Sequence, residues 1–210
     1  NIPSLAQNAY DNAFVAVVAN LRTLAWIVSA SSLFAAADAG KMAARSQIAD
    51  RLWGYWTAGD PELHSFMTAL ARRDAEYERS FAISDLSSSE RAAWKAGGNR
   101  LPMALSQRNR LSFQHDLASD WARYQYLKEI AHDVAHWAKL ARQPLWVEAL
   151  RLLGQYLLRE PAQAESGWDS ASAAAQVAGA SDAIDVLLDA LCRDPYADKH
   201  MAARSKLLFA

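Results

Sequence analysis

At 210 residues with 52% apolar content, the chain can bury a sizeable core in one large domain or two small ones without cross-links. A net charge of −1 and a pI near 6.6 exclude a global field that would draw in DNA or an acidic membrane, so no nucleic-acid partner is expected. A single cysteine, Cys192, excludes an internal disulfide framework.

Asn1 is not an initiator methionine, so a processed or partial chain is expected, and an earlier targeting segment stays open. After Pro3 and Ser4, Tyr10, Phe14, Val17, Leu21 and Leu24 recur at helical spacing. The uncharged run Thr23–Ala37 has 15 residues, short of the roughly 20 a membrane helix needs, and is expected as a buried helix with no membrane span. Ala39-Gly40 marks a stop, and a helix is expected from about Lys41 to Thr57. Gly59-Asp60-Pro61 is a turn signal that opens a helix carrying Leu63, Phe66, Met67, Leu70 and Tyr77. The segment Ser84–Leu101 is expected as a linker or mobile loop, with a Ser87–Glu90 capping box starting a short helix through Trp94 that stops at Gly97-Gly98-Asn99.

Pro102 begins a stretch free of Gly and Pro up to Pro144, with a break expected at Gln107-Arg108-Asn109-Arg110. Beyond it Phe113, Leu117, Trp121, Tyr124, Leu127, Ala131, Val134 and Ala138 track one stripe. No segment shows sustained period-two alternation, so no sheet is expected. Further helices are expected near 145–159, 162–178, 182–193 and 196–208, with a turn at Gly179 and Ser181. Trp53, Trp56, Trp121, Trp137, Trp146 and Trp168 are expected as core filler or interface anchors, and Cys192 as a buried structural thiol.

One pattern has the residue types of a metal site. In Glu129-x-x-His132-x-x-x-His136 a single helix would carry all three side chains on one face, half of a zinc or iron site. His132-Asp133-Val134-Ala135-His136 resembles the metalloprotease motif H-E-x-x-H, with Asp133 as a shortened general base and Glu148 or Glu160 as candidate third ligands. His132-Asp133 with His115 upstream also resembles the HD phosphohydrolases. A di-iron bundle would need a second Glu-x-x-His, and none exists. Polar or helix-packing histidines are the preferred expectation, and Arg108, Arg110 and His115-Asp116 read as a solvated helix start. The sequence has no glycine-rich phosphate loop, no Gly-x-Ser-x-Gly elbow and no cysteine pair.

A fixed offset organises the C-terminal part. Ala149, Leu153, Tyr156, Glu160 and Pro161 recur 34 residues later as Ala183, Leu187, Ala190, Asp194 and Pro195, and a weaker copy lies at Ala49, Trp53, Trp56, Asp60 and Pro61. Positions i, i+4 and i+7 share a helical face, and the residue before each proline is pushed out of the helical region. The pattern resembles the second helix of a tetratricopeptide (TPR) repeat over roughly residues 130–208, while Leu140 and Ala171 alone fit the first-helix signature.

The resemblance implies that partner contacts come from the first helix of each pair: Val134 and Arg142, then Glu165, Trp168 and Gln176, then Lys199 and Lys206. The Lys/Asn pattern with which some TPR domains clamp a peptide carboxylate is absent.

The chain is therefore expected to be all-α, with an irregular helical bundle over 1–100 and TPR-like antiparallel helix pairs over 101–210, packed separately or as one continuous domain. The expected function is a non-catalytic, cytoplasmic protein-interaction or assembly module that binds a peptide or partner helix without a cofactor. Homo-oligomerisation is compatible with that expectation. The alternatives are a metal-dependent helical enzyme using Glu129, His132 and His136 with zinc or iron, and the helical N-terminal region of a larger enzyme.

Overall fold

The computed structural model describes residues 21–29, 44–159 and 167–204, and it is mostly helical. The expected N-terminal helix around Tyr10–Val18, the repeat positions Glu160 and Pro161, and the contact candidates Glu165 and Lys206 lie outside the described residues. Contacts divide the chain into a central unit, Trp53–Glu129, and a flanking unit drawn from the sequence up to Leu52 and from Ile130 onward. The position expected to divide the chain, near residue 100, falls inside the central unit. Among the described residues, no helix is long and apolar enough to cross a membrane.

The central unit begins in the last part of α2 (Arg45–Thr57). Gly59 reverses the chain at φ 74°, a backbone setting glycine reaches without steric cost. Asp60 then accepts from the Glu62 and Leu63 amides at 2.8 and 3.4 Å, and Pro61 occupies the first helical position of α3 (Pro61–Ala75). α3 buries Leu63, Phe66, Met67 and Leu70 and packs on α5 (Asp116–Glu129), which buries Leu117, Trp121, Tyr124 and Leu127. Trp56 stacks on Trp121, ring centroids 5.7 Å apart.

Tyr77, expected on α3, instead follows it at φ 66° in an exposed turn. Arg73 closes that turn with two 2.8 Å bonds to the Glu78 carboxylate. The segment expected as a linker is folded: Ser87 and Glu90 form the reciprocal capping box of α4 (Ser88–Gly97), which packs against α3 and ends at Gly98, φ 52°.

The absence of a sheet was the wrong expectation. β1 (Phe81–Ala82), β2 (Met103–Leu105) and β3 (Arg110–Phe113) form an antiparallel sheet in the order β1-β3-β2, with Phe81 opposite Leu111 and Met103 opposite Phe113. The polar cluster expected as a helix break is the hairpin turn between β2 and β3. Asn109 takes the left-handed position at φ 55°, and its amide donates to the Ser106 carbonyl at 3.0 Å. Phe113 therefore belongs to a strand and not to the helical stripe.

The flanking unit contains α1 (Leu21–Ser29), the first part of α2, α6 (Val134–Leu140), α7 (Val147–Leu157), α8 (Trp168–Val177), α9 (Ser181–Cys192) and α10 (Ala197–Ala203). α7 packs directly on α9, α8 packs on both α6 and α9, and α10 follows on α9. The repeated positions Ala149, Leu153, Ala183, Leu187 and Ala190 are all buried.

Gly154 sets the approach of α7 to α9, because a Cβ there would stand 2.5 Å from the Ala190 Cβ. Gly179, φ 62°, makes the expected turn between α8 and α9. Pro195 sits in the turn before α10 and not at its first position, and Asp194 accepts from the Tyr196 amide at 2.9 Å. Cys192, expected inside, is exposed: it follows Leu187 by five residues, about 140° around the helix from the buried face.

Candidate binding clefts

The histidine pattern does not form one helical face. α5 ends at Glu129, Ile130–His132 form a turn, and Asp133 starts α6 by accepting from the His136 amide at 3.0 Å. Asp133 is thus a helix cap and not a shortened general base. His132 and His136 are both exposed. Among the described residues, no group of three or more His, Cys, Asp or Glu side chains is gathered to hold a metal.

Glu129 is engaged within the central unit. The Trp53 indole N–H donates to His64 Nδ1 at 3.0 Å, which leaves the ring proton on Nε2, paired with the Glu129 carboxylate. With both ring nitrogens occupied, His64 ties α2, α3 and α5 together and is not a free base.

The contact residues implied by the repeat fall into two groups. Arg142, Gln176 and Lys199 are exposed, Arg142 in a 3.1 Å pair with Asp182 and Lys199 over the Tyr196 ring at 5.0 Å. Val134 is half-buried. Trp168 is core: it is 1% exposed, its indole N–H donates to the Leu187 carbonyl at 3.2 Å, and Arg204 lies over its ring. Its place at the start of α8 lets the ring fold back onto α9, which explains why a groove-lining role does not arise. The other five tryptophans expected in the core, Trp53, Trp56, Trp121, Trp137 and Trp146, are buried as well.

A polar network surrounds α10. Asp194 is buried and pairs with Arg159 at 2.6 Å and with His200 at 3.5 Å, while Arg204 pairs with Asp169 at 2.6 Å. Burial lowers the His200 pKa below its ordinary value. Arg204 and Arg159 act in the same direction, and Asp194 opposes them without prevailing.

Among the described residues, two clefts open to solvent bear on binding. One, about 230 Å³ in the flanking unit, is lined by Arg45, Arg151, Arg193, Glu148, Gln155 and the apolar Leu152, Ala190 and Pro195. Its guanidiniums are already spent on carboxylates: Arg45 and Arg151 reach Glu148 at 2.7 and 3.3 Å, and Arg151 and Arg193 both reach Asp189. Burial works to raise the Asp189 carboxyl, and the hydrogen bonds from Arg193 and Arg151 outweigh it, so its pKa is lowered.

The other cleft, about 490 Å³, lies in the central unit between α3 and α4. Phe66, Ala69 and Ala93 line its apolar part, Glu62 and Glu90 supply carboxylates, and Ser65, Ser87 and Ser89 supply hydroxyls. Sequence reasoning missed it, because Ser87 and Glu90 read only as a capping box and nothing in the sequence singled out Glu62 or Ser65. Compared with protein-family models, with curated proteins and with solved structures, the chain finds no match.

Proposed function

We propose that the chain is a non-catalytic helical interaction module that receives a peptide or partner helix on the C-terminal helix pairs, in the manner of a TPR array. One observation supports this reading: the 34-residue offset falls on two helices, α7 and α9, that pack together, and its positions Ala149, Leu153, Ala183, Leu187 and Ala190 are buried. A repeat used as a packing rule leaves the opposite helical faces to evolve contacts. Arg142, Gln176 and Lys199 are exposed and suited to that use, and the Arg142–Asp182 pair is a surface pair that a partner can exchange at small cost. Trp168, being core, is not among the contacts.

The test is a peptide array probed with the purified full chain, followed by titration of the peptides it retains. Wild type is expected to bind a subset of peptides, and Arg142→Glu combined with Lys199→Glu is expected to weaken that subset about tenfold with the helical spectrum unchanged. An unchanged affinity for every retained peptide would count against the reading.

A further inference from the structure

We propose that α10 is an acid-released helix, docked on the flanking unit while the His200 ring is neutral and let go when the ring takes up a proton. None of its seven residues, Ala197–Ala203, is buried. Polar groups therefore carry much of its hold on the unit. His200 Nε2 lies 3.5 Å from the Asp194 carboxylate, and His200 Nδ1 lies 3.4 Å from the Arg204 guanidinium. Arg204, which caps the helix, reaches Asp169 of α8 at 2.6 Å and lies over the Trp168 ring.

Only a neutral imidazole suits both neighbours. A guanidinium donates and cannot accept, so Nδ1 offers its lone pair to Arg204, and the ring proton sits on Nε2, facing Asp194. A second proton goes to Nδ1, and two donors then face each other. Asp194 gains from the added charge, but it already holds Arg159 at 2.6 Å and accepts from the Tyr196 amide at 2.9 Å. The charged groups around the ring are thus Asp194 from the turn after α9, Arg159 from the end of α7 and Arg204 at the end of α10, with Asp169 of α8 behind Arg204.

Burial, joined by Arg204 and Arg159 and opposed by Asp194, holds the docked ring below its ordinary pKa of 6.5. In the released helix the ring returns to that value. Docking is therefore strongest above pH 6.5 and weakens as pH falls through it toward the docked pKa. A short helix with no buried residue lies at the low end of local stability, where a small loss of docking moves the equilibrium. Lys199 travels with the helix, so acid would also withdraw it from a partner; that consequence rests on the interaction reading, while the release itself does not.

Hydrogen exchange of the full chain, read by mass spectrometry at about pH 7.5 and about pH 5.5 and corrected for the intrinsic rate at each, tests the release. Wild-type α10 is expected to lose about fivefold in protection on acidification, while α7 and α9 keep theirs. The amide of His200→Gln can donate to Asp194 and accept from Arg204 without titrating, so this variant is expected to hold α10 equally at both pH values. The His200 ring, followed by proton NMR in wild type, is expected to titrate below pH 6.5. An acid-released helix is ruled out if wild-type α10 is equally protected at both pH values, or if α7 and α9 lose protection together with it. It is equally ruled out if His200→Gln loses protection in step with wild type or lacks it at neutral pH, or if the ring titrates at or above 6.5.

Discussion

Arg123 places a guanidinium in the interior of the central unit at 1% exposure, and its partner Asp74, on α3, is also buried. Asp74 receives it at 2.7 Å, with Asp120 at 2.6 Å and Ser119 Oγ at 3.2 Å taking the other nitrogen. Removing Asp74 leaves the buried guanidinium with Asp120 and Ser119 on one nitrogen only, so much of its desolvation goes uncompensated. Asp74→Ala is expected to destabilise the protein by about 3–5 kcal/mol in urea unfolding, and Arg123→Met added to it to restore part of the loss. A loss below about 1 kcal/mol for Asp74→Ala would show that the pair is solvated in solution.

His200 makes a prediction of opposite character. Its folded pKa lies below the ordinary value of 6.5, so the unfolded chain takes up the proton first as pH falls. The stability associated with the neutral ring is present above pH 6.5 and is lost as pH falls through that value toward the folded pKa. Wild type is therefore expected to lose more stability than His200→Gln between neutral and mildly acidic pH. A stability difference between the two that does not change with pH, or that changes in the other sense, would contradict the cause assigned here.

At the scale of the element, what was legible depended on whether a local signal had a competitor. α3 was legible because Gly59, Asp60 and Pro61 specify a turn, a cap and a first helical residue in sequence, and α4 because Ser87 and Glu90 have no better use than a capping box. Ser87→Ala is expected to cost about 1 kcal/mol in thermal or urea unfolding, and Glu90→Gln distinctly less, since glutamine keeps the reciprocal bond. Equal losses would show that charge, not the cap, holds this end.

The sheet was not legible, because strands of two to four residues are too short to display alternation and their order is set by a hairpin and a distant partner. The break after Glu129 was hidden by the apolar stripe, which continues through Ala131, Val134 and Ala138 across it. Asp133 held the missing information, but its cap role and its place in a metal-like motif compete for the same residue. The candidate cleft between α3 and α4 was invisible for a related reason. Glu62, Ser65 and Glu90 each have an ordinary helical role, and only the packing of the two helices brings them to one opening.

At the scale of the whole molecule, the sequence order of the units matters more than their sizes. The central unit is inserted between two stretches that together make the flanking unit, an arrangement that reading along the chain does not reveal. The 34-residue offset falls within one unit: Leu153 and Leu187, with the alanines at 149, 183 and 190, are buried on two helices that pack together, α7 and α9. Gly154 lets α7 approach α9 closely at Ala190 and Leu187, and the interaction reading depends on that packing.

The most direct measurement is a double-mutant cycle on that contact, by urea unfolding of wild type, Gly154→Ala, Ala190→Gly and the pair. A methyl at 154 has no space beside the Ala190 Cβ, so Gly154→Ala is expected to destabilise by about 1–3 kcal/mol despite the better helix propensity of alanine. Removing the Ala190 methyl in the same chain is expected to recover that loss, giving a coupling energy of about 1 kcal/mol or more. Additive effects, or a Gly154→Ala chain more stable than wild type, would mean that the two repeat helices do not touch there.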